Sequence, residues 1–144
     1  MNEMEFPVWL ARYQESAAYH EAGHIIAAAV QEMPLRDRGI HIDPNGSGIA
    51  YYWRRLPGDL ARSRRDDLER KKTIIALHAG SLAQARFFPD CPADNWHSDG
   101  DLIAALLKEM YPNDDRGEKR ANNDFRHEAE RVGDQHWPVI AALA

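Results

Sequence analysis

The first long element that the hydrophobic pattern predicts is a helix. Residues 10–33 are rich in alanine and contain no proline, so they favour a helix that Pro34 would stop. Residues 1–9 precede this block and contain Pro7, which predicts an irregular lead-in. We therefore expect the helix to begin near residue 10 and to end just before Pro34.

Residues 60–88 predict a second long helix. Their first half is heavily charged, with both signs at three- and four-residue spacing, and their second half is mostly apolar. Asp59 precedes this block and is expected to cap the helix. Gly80 costs a helix interior about 1 kcal/mol relative to alanine, so it predicts either a kink or close packing against another helix.

Between these two helices the pattern predicts an antiparallel hairpin. Residues 39–43 alternate, residues 44–48 are dense in turn formers, and residues 49–53 are rich in aromatic side chains. These aromatic side chains either form the hairpin core, as strands generally favour, or line a groove for a peptide.

The rest of the chain is mostly helical in pattern. Residues 89–100 predict a loop, residues 101–110 a helix, and residues 118–144 one or two helices broken near Gly133 and Pro138. The expected fold class is therefore α+β, mostly helical, with a short antiparallel hairpin.

Length, composition and charge narrow the class of protein. A chain of 144 residues with 44% hydrophobic residues suits one globular domain spanning residues 1–144. A net charge of -5 gives no basis for binding nucleic acid, which requires a basic surface. The single cysteine, Cys91, excludes an intramolecular disulfide and favours the cytoplasm. No apolar run approaches the roughly 20 residues of a membrane span, so we expect no membrane partner.

The motif with the clearest chemistry is a His-Glu-x-x-His pentad in the first helix. His20 and His24 are four residues apart, so a helix places both imidazoles on one face. Glu21 follows the first histidine and is near enough to reach a metal-bound water. Random placement of the 7 histidines and the glutamates predicts roughly 0.02 such pentads in the chain. The alternative is a core helix with two hydrogen-bonded histidines.

A catalytic zinc site needs a third protein ligand and one open position. Asp99 and Asp101 lie where a helix is expected to begin, and each also suits a helix cap. The remaining histidines are further candidates: His41, His78, His97, His127 and His136. Composition alone does not choose among them.

The chain resembles the peptidase domain of the FtsH-type zinc metallopeptidase family. The segment from Ala18 to Ala29 is similar to that family's His-Glu-Ala-Gly-His helix. Three further segments resemble the family in the same order: residues 38–52, its strand pair; residues 77–85, its glycine-containing helix; and residues 98–102, its Asp-Leu helix start. The similarity covers about residues 12–110.

This resemblance implies a zincin-like fold and a zinc ion held by His20, His24 and Asp101. Asp101 is aligned with the family ligand because Leu102 follows it, and Asp99 is the alternate. The implied activity is hydrolysis of peptide bonds through a metal-bound water that Glu21 activates as general base. The implied substrate is a peptide or an unstructured protein.

Two departures limit what the resemblance implies. Gln84 stands where the family usually has glutamate, which alters a contact behind the metal ligands. The sequence also contains no Gly-x-x-x-x-Gly-Lys pattern and no membrane segment, so ATP-driven unfolding is not implied. A catalytically silent metal-binding regulator or adaptor is therefore the alternative function, and a helical protein without metal is a further one.

Overall fold

The computed structural model describes residues 5–44, 48–52, 54–90 and 97–144. Within these ranges the elements are α1 (Glu5–Val30), β1 (Leu35–Ile42), β2 (Gly48–Tyr52), α2 (Arg64–Phe87), α3 (His97–Met110) and α4 (Asp115–Leu143). The described chain is mostly helical, with one two-stranded antiparallel sheet. This confirms the α+β expectation.

Helix α1 begins earlier than the sequence predicts. Pro7 lies in its first turn, where a missing N–H costs nothing because the first N–H groups of a helix have no intrahelical partner. The expected irregular lead-in over residues 1–9 is therefore wrong for its described part. At the other end, Glu32 adopts a left-handed φ of 60° and its N–H donates to the carbonyl of Ala29. This ends the helix before Pro34, as expected.

Helices α1 and α2 approach each other closely because small residues line their contact. A Cβ added at Gly23 would lie 2.5 Å from the Ala79 carbonyl oxygen and 2.9 Å from the Ala83 Cβ. Gly23, the fourth residue of the pentad, is therefore required for this packing. The contact holds one face of α1 against α2, and that face carries the two histidines.

The first turn of α2 is capped by Ser63 rather than by Asp59. The Ser63 hydroxyl accepts a hydrogen bond from the Asp66 N–H at 3.1 Å, whereas the Asp59 carboxylate accepts from the Leu56 N–H in the preceding turn. The expected start at residue 60 is therefore four residues too early. The helix runs without interruption through Gly80, which excludes the kink and leaves close packing as its explanation.

The hairpin packs on α1 and follows the predicted strand order. Ile42 pairs with Gly48 and Ile40 with Ala50, while the register shifts between Leu35 and Ile40. Gly39 lies in that irregular stretch with a φ of +63°, a conformation that glycine adopts without strain. The start of β2 lies against α1, where the backbone of Gly48 comes close to the Glu21 side chain.

Helix α3 begins at His97, four residues before the expected start. Asp99 therefore lies in the first helical turn instead of in a loop. Helix α4 is bent as predicted: His136 has non-helical angles, two residues before Pro138, whose ring is incompatible with a straight helix.

The main core lies where α1, α2, α3 and α4 meet. Its fully buried side chains include Ile74, Leu77 and Leu106. Among the described elements, α1 makes its most extensive contact with α2, and this contact holds the histidine-bearing helix in place. In the described part of the chain, no helix combines the length and the apolar character of a membrane span.

Candidate metal centre

The two pentad histidines converge as their spacing predicts. Their ring centroids are 4.5 Å apart with the planes nearly perpendicular, and the two Nε2 atoms are 3.0 Å apart. Both side chains are buried. Helix periodicity produces this pairing, and the packing of α1 on α2 fixes the direction in which the rings point.

Asp99 completes a triangle with the two histidines. Its Oδ2 atom lies 2.9 Å from His20 Nε2 and 3.1 Å from His24 Nε2. Asp99 is only 8% exposed although it belongs to the first turn of a helix. The carboxylate is thus directed inward at the histidines and not outward to solvent.

Asp101 does not join this cluster. It is exposed, and two residues along a helix correspond to a rotation of about 200°, which turns it away from the face that carries Asp99. The carboxylate that meets the two histidines is therefore Asp99, the alternate candidate, and not Asp101. The earlier start of α3 brings Asp99 into the first helical turn.

The hydrogen bonds behind the rings determine which nitrogen carries the proton. His24 Nδ1 donates to the Ala76 carbonyl oxygen at 2.8 Å, because a carbonyl can only accept. His20 Nδ1 lies 3.0 Å from Gln84 Oε1. The Gln84 amide group donates to Ser16 Oγ, and the Ser16 hydroxyl donates to the Tyr13 carbonyl. This chain orients the glutamine so that its oxygen accepts from His20.

Both Nδ1 atoms are consequently protonated, and both Nε2 lone pairs face the Asp99 carboxylate. Three acceptor atoms about 3 Å apart repel one another unless a cation or an added proton lies between them. Burial alone would lower the pKa of His24, but Asp99 and Glu21 outweigh it and raise that pKa above its ordinary value. Burial opposes ionisation of Asp99, but hydrogen bonds from His20 and His24, which form when an added proton lies on Nε2, hold its pKa well below the usual range. The cluster therefore attracts positive charge.

The donor set fits a divalent metal ion. Tetrahedral zinc with bonds of about 2.0–2.1 Å separates its ligand atoms by about 3.3 Å. The three observed separations of 2.9, 3.0 and 3.1 Å are close to this value. Each histidine also donates its other ring N–H to an oxygen, the arrangement that holds metal-ligating imidazoles in the correct tautomer.

Glu21 lies beside this triangle. One of its carboxylate oxygens and one nitrogen of each histidine all fall within 4.8 Å of one another. Asp99 contacts both nitrogens directly, and Glu21 lies beside them as a second carboxylate that could also reach a metal ion. The backbone of Gly48 comes close to Glu21: a Cβ there would lie 2.9 Å from Glu21 Cγ.

A cavity of about 500 Å³ opens onto the cluster. Its wall is formed by α1, β2, α2 and the start of α3, and the residues that line it beyond the cluster include Ile49, Ala50, Tyr52, Arg54 and Ser98. Burial raises the pKa of the Tyr52 hydroxyl well above its ordinary value; Arg54 acts against this shift, and Asp99 and Glu21 add to it. A ligand in this cavity would therefore meet buried carboxylates, imidazoles and a protonated phenol together.

Three of the other histidines considered as ligands, His41, His78 and His127, have different partners. His78 contacts Asn122 Oδ1 at 2.8 Å, and burial lowers its pKa. His41 pairs with Asp43, and His127 lies 3.4 Å from Glu130. Several residues weighed from the sequence lie outside the described atoms: the side chains of Tyr51 and His97, and all of Trp53 and Cys91.

Sequence reasoning missed two contributors to the site. Ser16 is fully buried and anchors the Gln84 amide, but a serine inside an alanine-rich helix gives no distinctive signal. Gly48 appears in the sequence as one of several turn formers, and its closeness to Glu21 arises only from the packing of the hairpin on α1. Both roles depend on contacts between elements distant in the chain.

Comparisons of the chain with models of protein families, with curated proteins and with solved structures find no match. The functional argument therefore rests on the chemistry of the site itself.

Proposed function

We propose that this protein is a zinc-dependent metallopeptidase with a zincin-like, FtsH-type peptidase fold. The observation that carries the proposal is the buried triangle of His20 Nε2, His24 Nε2 and Asp99 Oδ2 beside the Glu21 carboxylate. Two imidazoles and one carboxylate form the three-ligand set of a catalytic zinc site, in which one position stays open. The adjoining cavity supplies room for a substrate.

In the proposed reaction, each residue has a distinct role. A divalent metal held by the triangle would lower the pKa of a water molecule and polarise the scissile carbonyl. Glu21 takes a proton from the attacking water while the water oxygen bonds to the carbonyl carbon. The Glu21 carboxyl group then gives that proton to the amide nitrogen as the carbon–nitrogen bond breaks. Gln84 and the Ala76 carbonyl keep the two imidazoles oriented throughout.

The substrate class follows from the edge of the hairpin. In the described ranges β2 pairs only with β1, and Gly48, Ile49 and Ala50 of β2 line the cavity. An extended peptide can add to a strand edge through backbone hydrogen bonds, which positions it without requiring a particular sequence. The proposed substrate is therefore a peptide or an unstructured protein segment.

The test of this function is Glu21→Gln in protein loaded with zinc. The proposal predicts about one zinc per chain in both proteins and a fall in peptide hydrolysis of at least about 100-fold in the variant. A fluorescence-quenched library of short peptides provides the substrate. Retained zinc with undiminished hydrolysis would remove Glu21 from the mechanism. Zinc in the wild type without hydrolysis of any peptide would instead favour the metal-binding regulator.

A further inference from the structure

The Tyr52 hydroxyl is a buried donor that has no acceptor among the described residues. Tyr52 is only 6% exposed, and the one side chain that acts on its oxygen through a hydrogen bond, Arg54, can only donate. Leaving such a group unpaired costs about 1–3 kcal/mol, so a buried orphan hydroxyl needs an explanation. The Tyr52 side chain lines the metal-site cavity, and its ring centroid lies 6.1 Å from that of His24.

Arg54 lies next to this hydroxyl. Its backbone N–H donates to the Tyr52 carbonyl oxygen at 3.0 Å, and this turn brings both side chains to the same cavity. Arg54 is exposed and forms no ion pair with a carboxylate in the described part of the chain. Among the described residues that line the cavity, it is the only arginine or lysine. A permanent cation and a phenolic donor therefore share one wall.

We propose that Tyr52 Oη and the Arg54 guanidinium together bind an anionic oxygen of the substrate. This inference rests on the proposed peptidase function. The Tyr52 hydroxyl would donate from the buried side of the cavity and the Arg54 guanidinium from the solvent side. Hydrogen bonds to a charged acceptor are stronger than those between neutral groups. The exposed arginine side chain moves to admit the substrate oxygen to the hydroxyl. Binding then supplies the acceptor that Tyr52 lacks.

Two sources of such an oxygen share this chemistry. One is the carbonyl oxygen of the scissile bond, on which negative charge develops during attack by water. The other is a carboxylate of the substrate, from an acidic side chain or the peptide C-terminus. If the oxygen is the scissile carbonyl, Tyr52 and Arg54 stabilise mainly the transition state. If it is a carboxylate, they contribute already to substrate binding.

The experiment compares the zinc-loaded wild type with Tyr52→Phe and Arg54→Gln. Arg55→Gln is the matched control, because Arg55 is an exposed neighbour that does not line the cavity. The first readout is the Kd of a neutral phosphinic peptide, which carries a charged tetrahedral oxygen, and of the same peptide with an added acidic residue. The second is kcat and KM on neutral and acidic peptides. Zinc content and Tm are measured for every protein.

For Tyr52→Phe and Arg54→Gln we expect one of two changes: a Kd for the neutral phosphinic peptide at least about 10-fold higher, or loss of an at least about 10-fold tighter binding of the acidic peptide over the neutral one. Both Kd values of Arg55→Gln should stay within about 2-fold of the wild type. A fall in kcat at constant KM on all peptides identifies the developing oxyanion. A rise in KM confined to acidic peptides identifies a carboxylate. Tyr52→Phe removes a hydroxyl that has no acceptor among the described residues, so its Tm should not fall.

Unchanged probe affinity and unchanged kinetics in both cavity variants would overturn the inference. This failure is separate from that of the proposed function. If the wild type holds zinc but cleaves no peptide, the proposed hydrolysis fails, and the affinities for the two probes still decide whether Tyr52 and Arg54 bind an anionic oxygen.

Discussion

Gly80 of α2 lies directly against the imidazole ring of His24. A Cβ placed on Gly80 would come within 2.5 Å of His24 Nδ1 and 2.7 Å of His24 Nε2, distances that no real Cβ contact tolerates. The same glycine leaves room for His24 Nδ1 to reach the carbonyl oxygen of Ala76, one turn earlier in α2. The close packing that the sequence predicts at Gly80 is thus packing against a metal-ligand candidate.

Gly80→Ala should therefore disturb the site more than the fold. Alanine is the better helix former by about 1 kcal/mol, but its methyl group must displace the His24 ring. We expect zinc affinity to fall by at least about 10-fold, measured by competition with a chromogenic chelator. Gly133→Ala is the control, because a Cβ on this α4 glycine meets nothing within 4 Å. Equal zinc affinity in both variants would contradict the close contact.

Gly48→Ala separates the proposed base from the proposed ligands. A Cβ at Gly48 would lie 2.9 Å from Glu21 Cγ and 2.7 Å from Ile42 Cδ1, so the Glu21 side chain must shift. Because Glu21 is not one of the three proposed ligands, zinc content should stay near that of the wild type while kcat falls by about 10-fold or more. Zinc content and kcat are measured on the same sample. Loss of zinc together with activity would show that Glu21 takes part in holding the metal.

Gln84 should affect the affinity for zinc indirectly, through its hydrogen bond to His20. Its Oε1 accepts from His20 Nδ1, and removing such a partner typically costs about 10–100-fold in metal affinity. Gln84→Leu removes the acceptor and should show that loss by isothermal titration with zinc. Gln84→Glu keeps an acceptor oxygen and adds a negative charge, so it should bind zinc at least as tightly as Gln84→Leu. The reverse order would contradict the hydrogen-bond assignment.

The pairing of His20 and His24 could be predicted from the sequence because it depends only on helix periodicity. His20 and His24 are four residues apart in one uninterrupted helix, so their convergence needs no tertiary information. The hairpin could be predicted for a similar reason, since the alternation and turn formers between residues 39 and 53 are local signals.

The rest depends on contacts between distant segments. The choice between Asp99 and Asp101 required the start of α3, and helix ends are weakly encoded: Asp99 and Asp101 both suit a first turn. For the same reason the sequence predicted Asp59 as the cap of α2, whereas the cap is Ser63. The burial of Tyr52 Oη without an acceptor among the described residues could not be predicted, because it depends on what packs around a strand residue.

The central claim is that His20, His24 and Asp99 hold one metal ion. The most direct measurement is the metal content of purified protein after zinc loading and desalting, for the wild type, Asp99→Ala and Asp101→Ala. We predict about one zinc per chain in the wild type and in Asp101→Ala, and at least about a tenfold loss in Asp99→Ala, because only Asp99 contacts both imidazoles. Folded wild-type protein without zinc, or Asp99→Ala with undiminished zinc, would contradict the account.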